Sequence, residues 1–203
     1  MRYLLVDVDT QVDFMAPKGA LYVPGAAALA GNLAALVTAA RDAGVPHFAT
    51  VDTHTLDDPE FAAYGFPAHC VAGTTGHGKI TATRQEAPLL VDGSFSYAPE
   101  GRELAFPKAT FDVYTNPAFP RAVEARRPDE AIVCGVATDY CVKAAVLGLL
   151  AQGVKVALVA DAIAAVTPET GATALAEMQA AGARLVTTAQ AVALLAKVVA
   201  HVA

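Results

Sequence analysis

Short apolar runs alternate with longer alanine-rich stretches along the whole chain, and this rhythm restricts the fold more than any other feature of the sequence. The runs are Tyr3 to Val8, Pro46 to Val51, Ala131 to Val136, Val154 to Ala160 and Arg184 to Val186, with a further one over Glu103 to Phe106. Several are apolar at nearly every position, as strands covered on both faces are. The stretches between them predict helices over Ala26 to Ala43, Ala118 to Arg126, Thr138 to Gln152, Pro168 to Ala181 and Ala189 to Val199. Gly44, Gly153 and Gly182 each follow a helical stretch and precede a strand, where a helix C-terminus is commonly capped. Strands separated by crossover helices pair in parallel, so the expected class is α/β: a three-layer α/β/α sandwich on a mostly parallel central sheet.

At 203 residues the chain is expected to form a single domain over residues 1–203. Its composition, 55% hydrophobic and 17% charged, suits a compact globule with apolar surface to spare for a subunit interface, so a homo-oligomer is expected. The net charge of -6, with both signs scattered, leaves no basic stripe to neutralise phosphates and argues against nucleic acid as a partner. No apolar run reaches the roughly 18 residues of a spanning helix, and the N-terminus enters a strand rather than a signal peptide. The expectation is a cytoplasmic protein with no membrane partner. Cys70, Cys134 and Cys141 are odd in number and lack metal-knuckle spacing, which disfavours a disulfide framework and points to a reactive thiol.

In open parallel sheets, ligands bind beyond the carboxyl ends of the strands. Those positions here are chemically loaded. The first run leads into Asp9-Thr10-Gln11-Val12-Asp13-Phe14, the second into Asp52-Thr53-His54, the Glu103 run into Lys108, and the Ala131 run into Gly135-Val136-Ala137-Thr138-Asp139-Tyr140-Cys141. Cys141 falls in the first turn of a helix, where free N–H groups and the helix dipole are expected to favour a thiolate and to offer donors to an oxyanion. A buried cysteine is more often inert packing. The joint presence of Asp9 as base, Lys108 as cation and Cys141 as nucleophile argues otherwise. Cys134 sits inside a strand and is assigned to packing.

These segments resemble the isochorismatase-like cysteine hydrolases, and within them the nicotinamidases, over nearly the whole chain. Asp9 to Phe14 is similar to that family's first signature, Lys108 to its central lysine, and Gly135 to Cys141 to its nucleophile segment. The resemblance implies a Rossmann-like isochorismatase fold and a catalytic triad of Asp9, Lys108 and Cys141. It also implies a cis peptide between Val136 and Ala137, and an oxyanion hole from the N–H groups of Ala137 and Cys141.

The interval from Asp52 to Pro99 breaks the strand and helix rhythm, and long irregular segments in compact domains usually carry function. Asp52, His54, Glu60 and His69 within it resemble the nicotinamidase metal site. Two imidazoles with carboxylate oxygens suit a divalent metal ion, zinc first, with manganese or iron as alternatives. Asp57 and Asp58 rival Glu60 as ligands. The stretch Phe66 to Gly76 also resembles nicotinamidase. Phe14, Phe66 and Tyr114 are then expected to form a flat apolar slot for an aromatic ring, with Phe111 and Phe119 competing for the place of Tyr114. Gln11, Val136 and Ala137 complete the expected substrate-binding set. His77 and His201 receive no role.

The implied reaction is hydrolysis of a small-molecule amide, nicotinamide first, through a thioester on Cys141. A related amidase for carbamoyl or ureido compounds is the alternative. Two non-hydrolytic readings remain: a noncatalytic binding protein of the same fold, and a redox-sensing thiol served by Cys70 or Cys134.

Overall fold

The computed structural model describes residues 1–95 and 98–199; His201 lies outside them. In chain order the elements are β1 (Tyr3–Val8), α1 (Val12–Met15), α2 (Ala30–Asp42), β2 (His47–Asp52), α3 (Pro59–Tyr64), β3 (Leu89–Leu90), β4 (Glu103–Lys108), α4 (Ala118–Arg126), β5 (Glu130–Val136), α5 (Lys143–Ala151), β6 (Lys155–Ala164), α6 (Pro168–Ala180), β7 (Arg184–Val186) and α7 (Thr188–Val199). The seven strands form one parallel sheet in the order β3-β4-β2-β1-β5-β6-β7. That is the α/β/α sandwich expected from the apolar rhythm.

Alternate residues of β1 explain why the run is apolar throughout. Leu4, Val6 and Val8 face one core layer with Phe119 and Val123 of α4, Val146 and Leu149 of α5 and Met178 of α6. Tyr3 and Leu5 face the other, with Leu33, Leu36 and Val37 of α2 and Leu195 of α7. Phe48, Phe106 and Phe119 meet within the first layer at centroid distances of 5.2, 6.3 and 5.1 Å. Each ring, wholly buried, contributes about 1.5–3 kcal/mol through lost apolar exposure.

Several boundaries differ from the periodicity. The expected first helix opens as a 3₁₀ turn over Ala26–Leu29 before α2 begins. β6 runs on to Ala164, its second half only partly covered, so hydrophobicity alone ended it early. The interval after β2 contains α3 and the short edge strand β3. α3 had a legible signal that the periodicity argument passed over: Asp58-Pro59 supplies an N-cap and a proline in the first turn. Gly44, Gly153 and Gly182 all take the positive φ expected of helix-terminating residues.

Between β1 and β5 the chain's strand order reverses, and a crevice opens at such a point beyond the strand ends. Gly135 lets the two strands close there. A side chain at that position would place its Cβ 2.0 Å from the Val8 carbonyl oxygen, so only glycine fits.

A buried charge cluster lies beneath the first strand end. Asp7 is fully buried and pairs with Lys79 Nζ at 3.0 Å, with His47 Nε2 3.7 Å away. The Thr10 hydroxyl donates to Asp7 (2.7 Å), sits 2.6 Å from that of Thr83, and accepts from Lys79 (3.2 Å). Burial alone would raise the Asp7 pKa, but the Lys79 charge, the neighbouring His47 and the Thr10 hydrogen bond outweigh it and hold the carboxyl below its ordinary value. The cluster ties residues 79–83 to both flanks of Asp9.

Candidate active site and metal centre

Asp9 leaves β1 with φ +46°, a left-handed conformation uncommon outside glycine, asparagine and aspartate. Thr50 on the neighbouring strand β2 holds it there. The Thr50 hydroxyl donates to Asp9 Oδ1 (2.5 Å) and accepts from the Asp9 N–H (3.1 Å). Nothing in the sequence singled out Thr50, because its part depends on the register between β1 and β2.

Lys108, the last residue of β4, reaches three groups at once. Its Nζ lies 2.8 Å from Asp9 Oδ2, 3.0 Å from Asp52 Oδ1 and 3.6 Å from Cys141 Sγ. Burial works against the ammonium, yet the negative charges of Asp9 and Asp52 outweigh it and raise the Lys108 pKa well above the ordinary lysine value. The cation is therefore permanent at neutral pH. Sequence reasoning placed Asp9, Lys108 and Cys141 at three strand ends, and the structure brings all three into contact.

Cys141 lies in a single π-type turn, Thr138–Val142, that precedes α5. The Ala137 carbonyl accepts from the N–H groups of Tyr140 and Val142, on either side of Cys141 (both 3.1 Å). Such turns interrupt regular helix hydrogen bonding and recur at functional sites. The Val136–Ala137 peptide is cis. One expectation fails here: the thiol is not held as a thiolate. Burial pushes its pKa well up, Lys108 opposes this only in part, and the negative charges of Asp9 and Asp52 raise it further. The thiol lies beside the Lys108–Asp9 pair, with Lys108 Nζ in contact with both.

Of the metal-ligand candidates, Asp52, His54 and His69 converge, while Glu60 groups with His54 and Asp58. His54 Nε2 and His69 Nε2 lie 2.9 and 3.3 Å from the same oxygen, Asp52 Oδ2, and Glu60 Oε2 is 3.3 Å from His54 Nε2. Burial works against a charged His54, but its contacts with Asp52, Asp58 and Glu60 push its pKa up to about 9. Glu60 Oε2 is buried without a hydrogen-bond partner among the described residues. Two imidazole nitrogens drawn to one carboxylate oxygen, with an orphaned carboxylate oxygen beside His54, fit a divalent cation. The His69 Nδ1–H donates to the Pro67 carbonyl (2.9 Å), which leaves Nε2 as the free lone pair. Among the rivals, Asp57 is exposed, and Asp58 approaches His54 from the other side, at Nδ1 (3.0 Å).

Both groups open onto one cavity of about 110 Å³, lined by Phe14, Phe66, Phe111, Tyr140, Val166, Val136, Ala137, Asp52, His69 and Cys141, with Leu21, Tyr22 and Val23 at its side. Two expected substrate contacts are corrected. Tyr114 packs on Phe119 (centroids 5.3 Å) over Gly148 and donates its hydroxyl to Gln152 (2.7 Å), away from the cavity. Its place is taken by Phe111, which meets Tyr64, Phe66 and Tyr140 at 5.1, 6.4 and 5.1 Å. Gln11 is wholly buried and spends its amide on backbone: it accepts from the Asp52 N–H (2.7 Å) and donates to the carbonyls of Asp52 (2.8 Å) and His77 (2.9 Å). It positions Asp52 rather than touching the cavity. Tyr140 and Val166 also line the cavity, and adjacency to Cys141 is the sequence signal for Tyr140. Val166 is held by Asp139, whose carboxylate accepts its N–H (3.1 Å).

The isochorismatase domain matches residues 3–190 of this sequence. The chain belongs to the isochorismatase family. It is similar to the nicotinamidase/pyrazinamidase of Mycobacterium tuberculosis, 31% identical over 195 residues that span 92% of this chain and 98% of that protein. The nicotinamidase of Escherichia coli is 33% identical over 217 residues, 93% of this chain and 95% of its own. Among solved structures, the pyrazinamidase of Pyrococcus horikoshii in complex with zinc superposes with a TM-score of 0.78 at 27% identity, covering 92% of this chain and 99% of that one. Within its family the chain is a hydrolase of amide carbon–nitrogen bonds. Cys70, Cys134 and Cys141 are all free thiols.

Proposed function

We propose that this protein hydrolyses nicotinamide to nicotinate and ammonia through a thioester on Cys141. The observation that carries the reading is a single apolar cavity with the Cys141 thiol opening onto it beside Asp52 and His69 of the metal cluster. A flat aromatic amide meets hydrocarbon on most of its surface and polar atoms only at those two places. Phe14, Phe66 and Phe111 supply ring contacts worth about 1 kcal/mol each.

In this reading Asp9 takes the thiol proton as Sγ attacks the amide carbon, and negative charge develops on the carbonyl oxygen. The N–H groups of Ala137 and Cys141 receive that oxyanion. Asp9 returns the proton to the departing ammonia, leaving an acyl group on sulfur. It then accepts a proton from the water that releases the acid. Lys108 keeps the Asp9 carboxylate and the transient thiolate in one buried site without net repulsion. Asp52, His54, Glu60 and His69 would hold a zinc or similar ion, which would supply a Lewis acid to anchor the ring nitrogen.

The test is ammonia release from nicotinamide by metal-replete wild type and Cys141→Ala, beside a panel of carbamoyl and ureido compounds. Turnover of nicotinamide that disappears in the variant, with a nicotinoyl adduct on intact wild-type protein by quenched mass spectrometry, is expected. Cysteine-dependent turnover confined to another panel member would move the substrate; silence throughout would favour a binding protein.

A further inference from the structure

We propose that Asp58 is the positioning residue of the metal centre, one carboxylate that sets two ligands by separate oxygens. The inference rests on the metal reading above and goes beyond it, since Asp58 Oδ2 meets His54 at Nδ1 and not at the Nε2 that faces Asp52. Oδ1 of Asp58 accepts the Glu60 N–H (3.0 Å) and caps α3, the short helix that carries Glu60 toward His54. Oδ2 lies 3.0 Å from His54 Nδ1. No hydrogen bond reaches that nitrogen among the described residues; its contact with Asp58 is an ion-pair approach of the carboxylate to the ring.

The two imidazoles thus have parallel arrangements. Each turns Nε2 toward Asp52 Oδ2 and Nδ1 outward, His69 to the Pro67 carbonyl and His54 to Asp58. An outward acceptor fixes the tautomer that leaves Nε2 as the ligand lone pair, and a carboxylate acceptor raises its basicity. Asp58 also contributes negative charge close to the cation without occupying a coordination position. The geometry explains why three acidic residues cluster at 57, 58 and 60 while only Glu60 turns to the Nε2 side: Asp57 is exposed, and Asp58 serves the rear.

Three variants separate the two oxygens' parts. Asp58→Ser keeps a good helix cap but is too short to reach His54. Asp58→Asn retains the shape and loses the charge. Asp57→Ser controls for net charge. Zinc affinity is read by competition with a chromophoric chelator, and the Co²⁺-loaded proteins are compared by visible absorption. Wild type and Asp57→Ser are expected to bind one equivalent alike. Asp58→Ser and Asp58→Asn are expected to bind about 10- to 100-fold more weakly with an altered Co²⁺ band, while metal-free melting temperatures stay together. Zinc affinity of Asp58→Ser within twofold of wild type would overturn the role of Asp58 and leave the metal centre standing. Failure of wild type to bind Zn²⁺ or Co²⁺ would overturn both.

Discussion

Replacing Lys79 with methionine strips the fully buried Asp7 of its cation at nearly unchanged side-chain volume. In the native chain Nζ stands 3.0 Å from Asp7 Oδ2, with side-chain exposures of 10% and 0%. Breaking a buried pair from one side leaves an uncompensated charge and costs about 3–5 kcal/mol. For a chain of this length that corresponds to a fall in Tm of about 6–20 °C. His47, 3.7 Å away, can supply part of the missing charge when protonated, which favours the lower end. The pH dependence has a definite sign. In wild type the Asp7 pKa is depressed, so its contribution is complete above the unfolded carboxyl value near 4 and is lost as pH falls through the folded value. Without Lys79, burial is opposed only by His47 and Thr10 and the carboxyl is expected to shift upward. The deficit of Lys79→Met should then shrink as pH is lowered from 7 toward 4. Urea unfolding at pH 7 and pH 5, with Asp7→Asn/Lys79→Met as the second variant, measures this. The double variant is expected to recover most of the loss. A single-variant deficit below about 1 kcal/mol at pH 7, or one that grows toward pH 5, would refute the reasoning.

Thr50→Val removes both hydrogen bonds to Asp9 while keeping the packing; kcat for ammonia release should fall about 10- to 100-fold with KM little changed, in steady-state assays of the purified variant. Phe111→Ala should raise KM for an aromatic amide about fivefold, whereas Tyr114→Phe should leave it where it is, since only Phe111 lines the cavity. Gly148→Ala would set a Cβ 2.1 Å from the Tyr114 ring and should cost about 1–3 kcal/mol by calorimetry or urea titration. Iodoacetamide should label Cys141 slowly at neutral pH and faster as pH rises, because burial keeps the free thiol protonated.

By itself the sequence determined the layered parallel sheet and the strand ends at which Asp9, Asp52, Lys108 and Cys141 emerge, because period, length and helix punctuation are local properties of the chain. It also offered candidate metal ligands as a set of residue types, through the resemblance of one segment. Tertiary structure decided what depends on contacts between distant segments. Thr50 meets Asp9 through the β1–β2 register, and Gln11 turns inward because the backbone at Asp52 offers it a donor and an acceptor. Phe111 rather than Tyr114 reaches the cavity because Gly148 leaves room for the Tyr114 ring elsewhere. The protonation of Cys141 reversed a local expectation for the same reason. A helix terminus is legible in sequence, whereas the desolvation that outweighs it is supplied by layers of chain folded around the site.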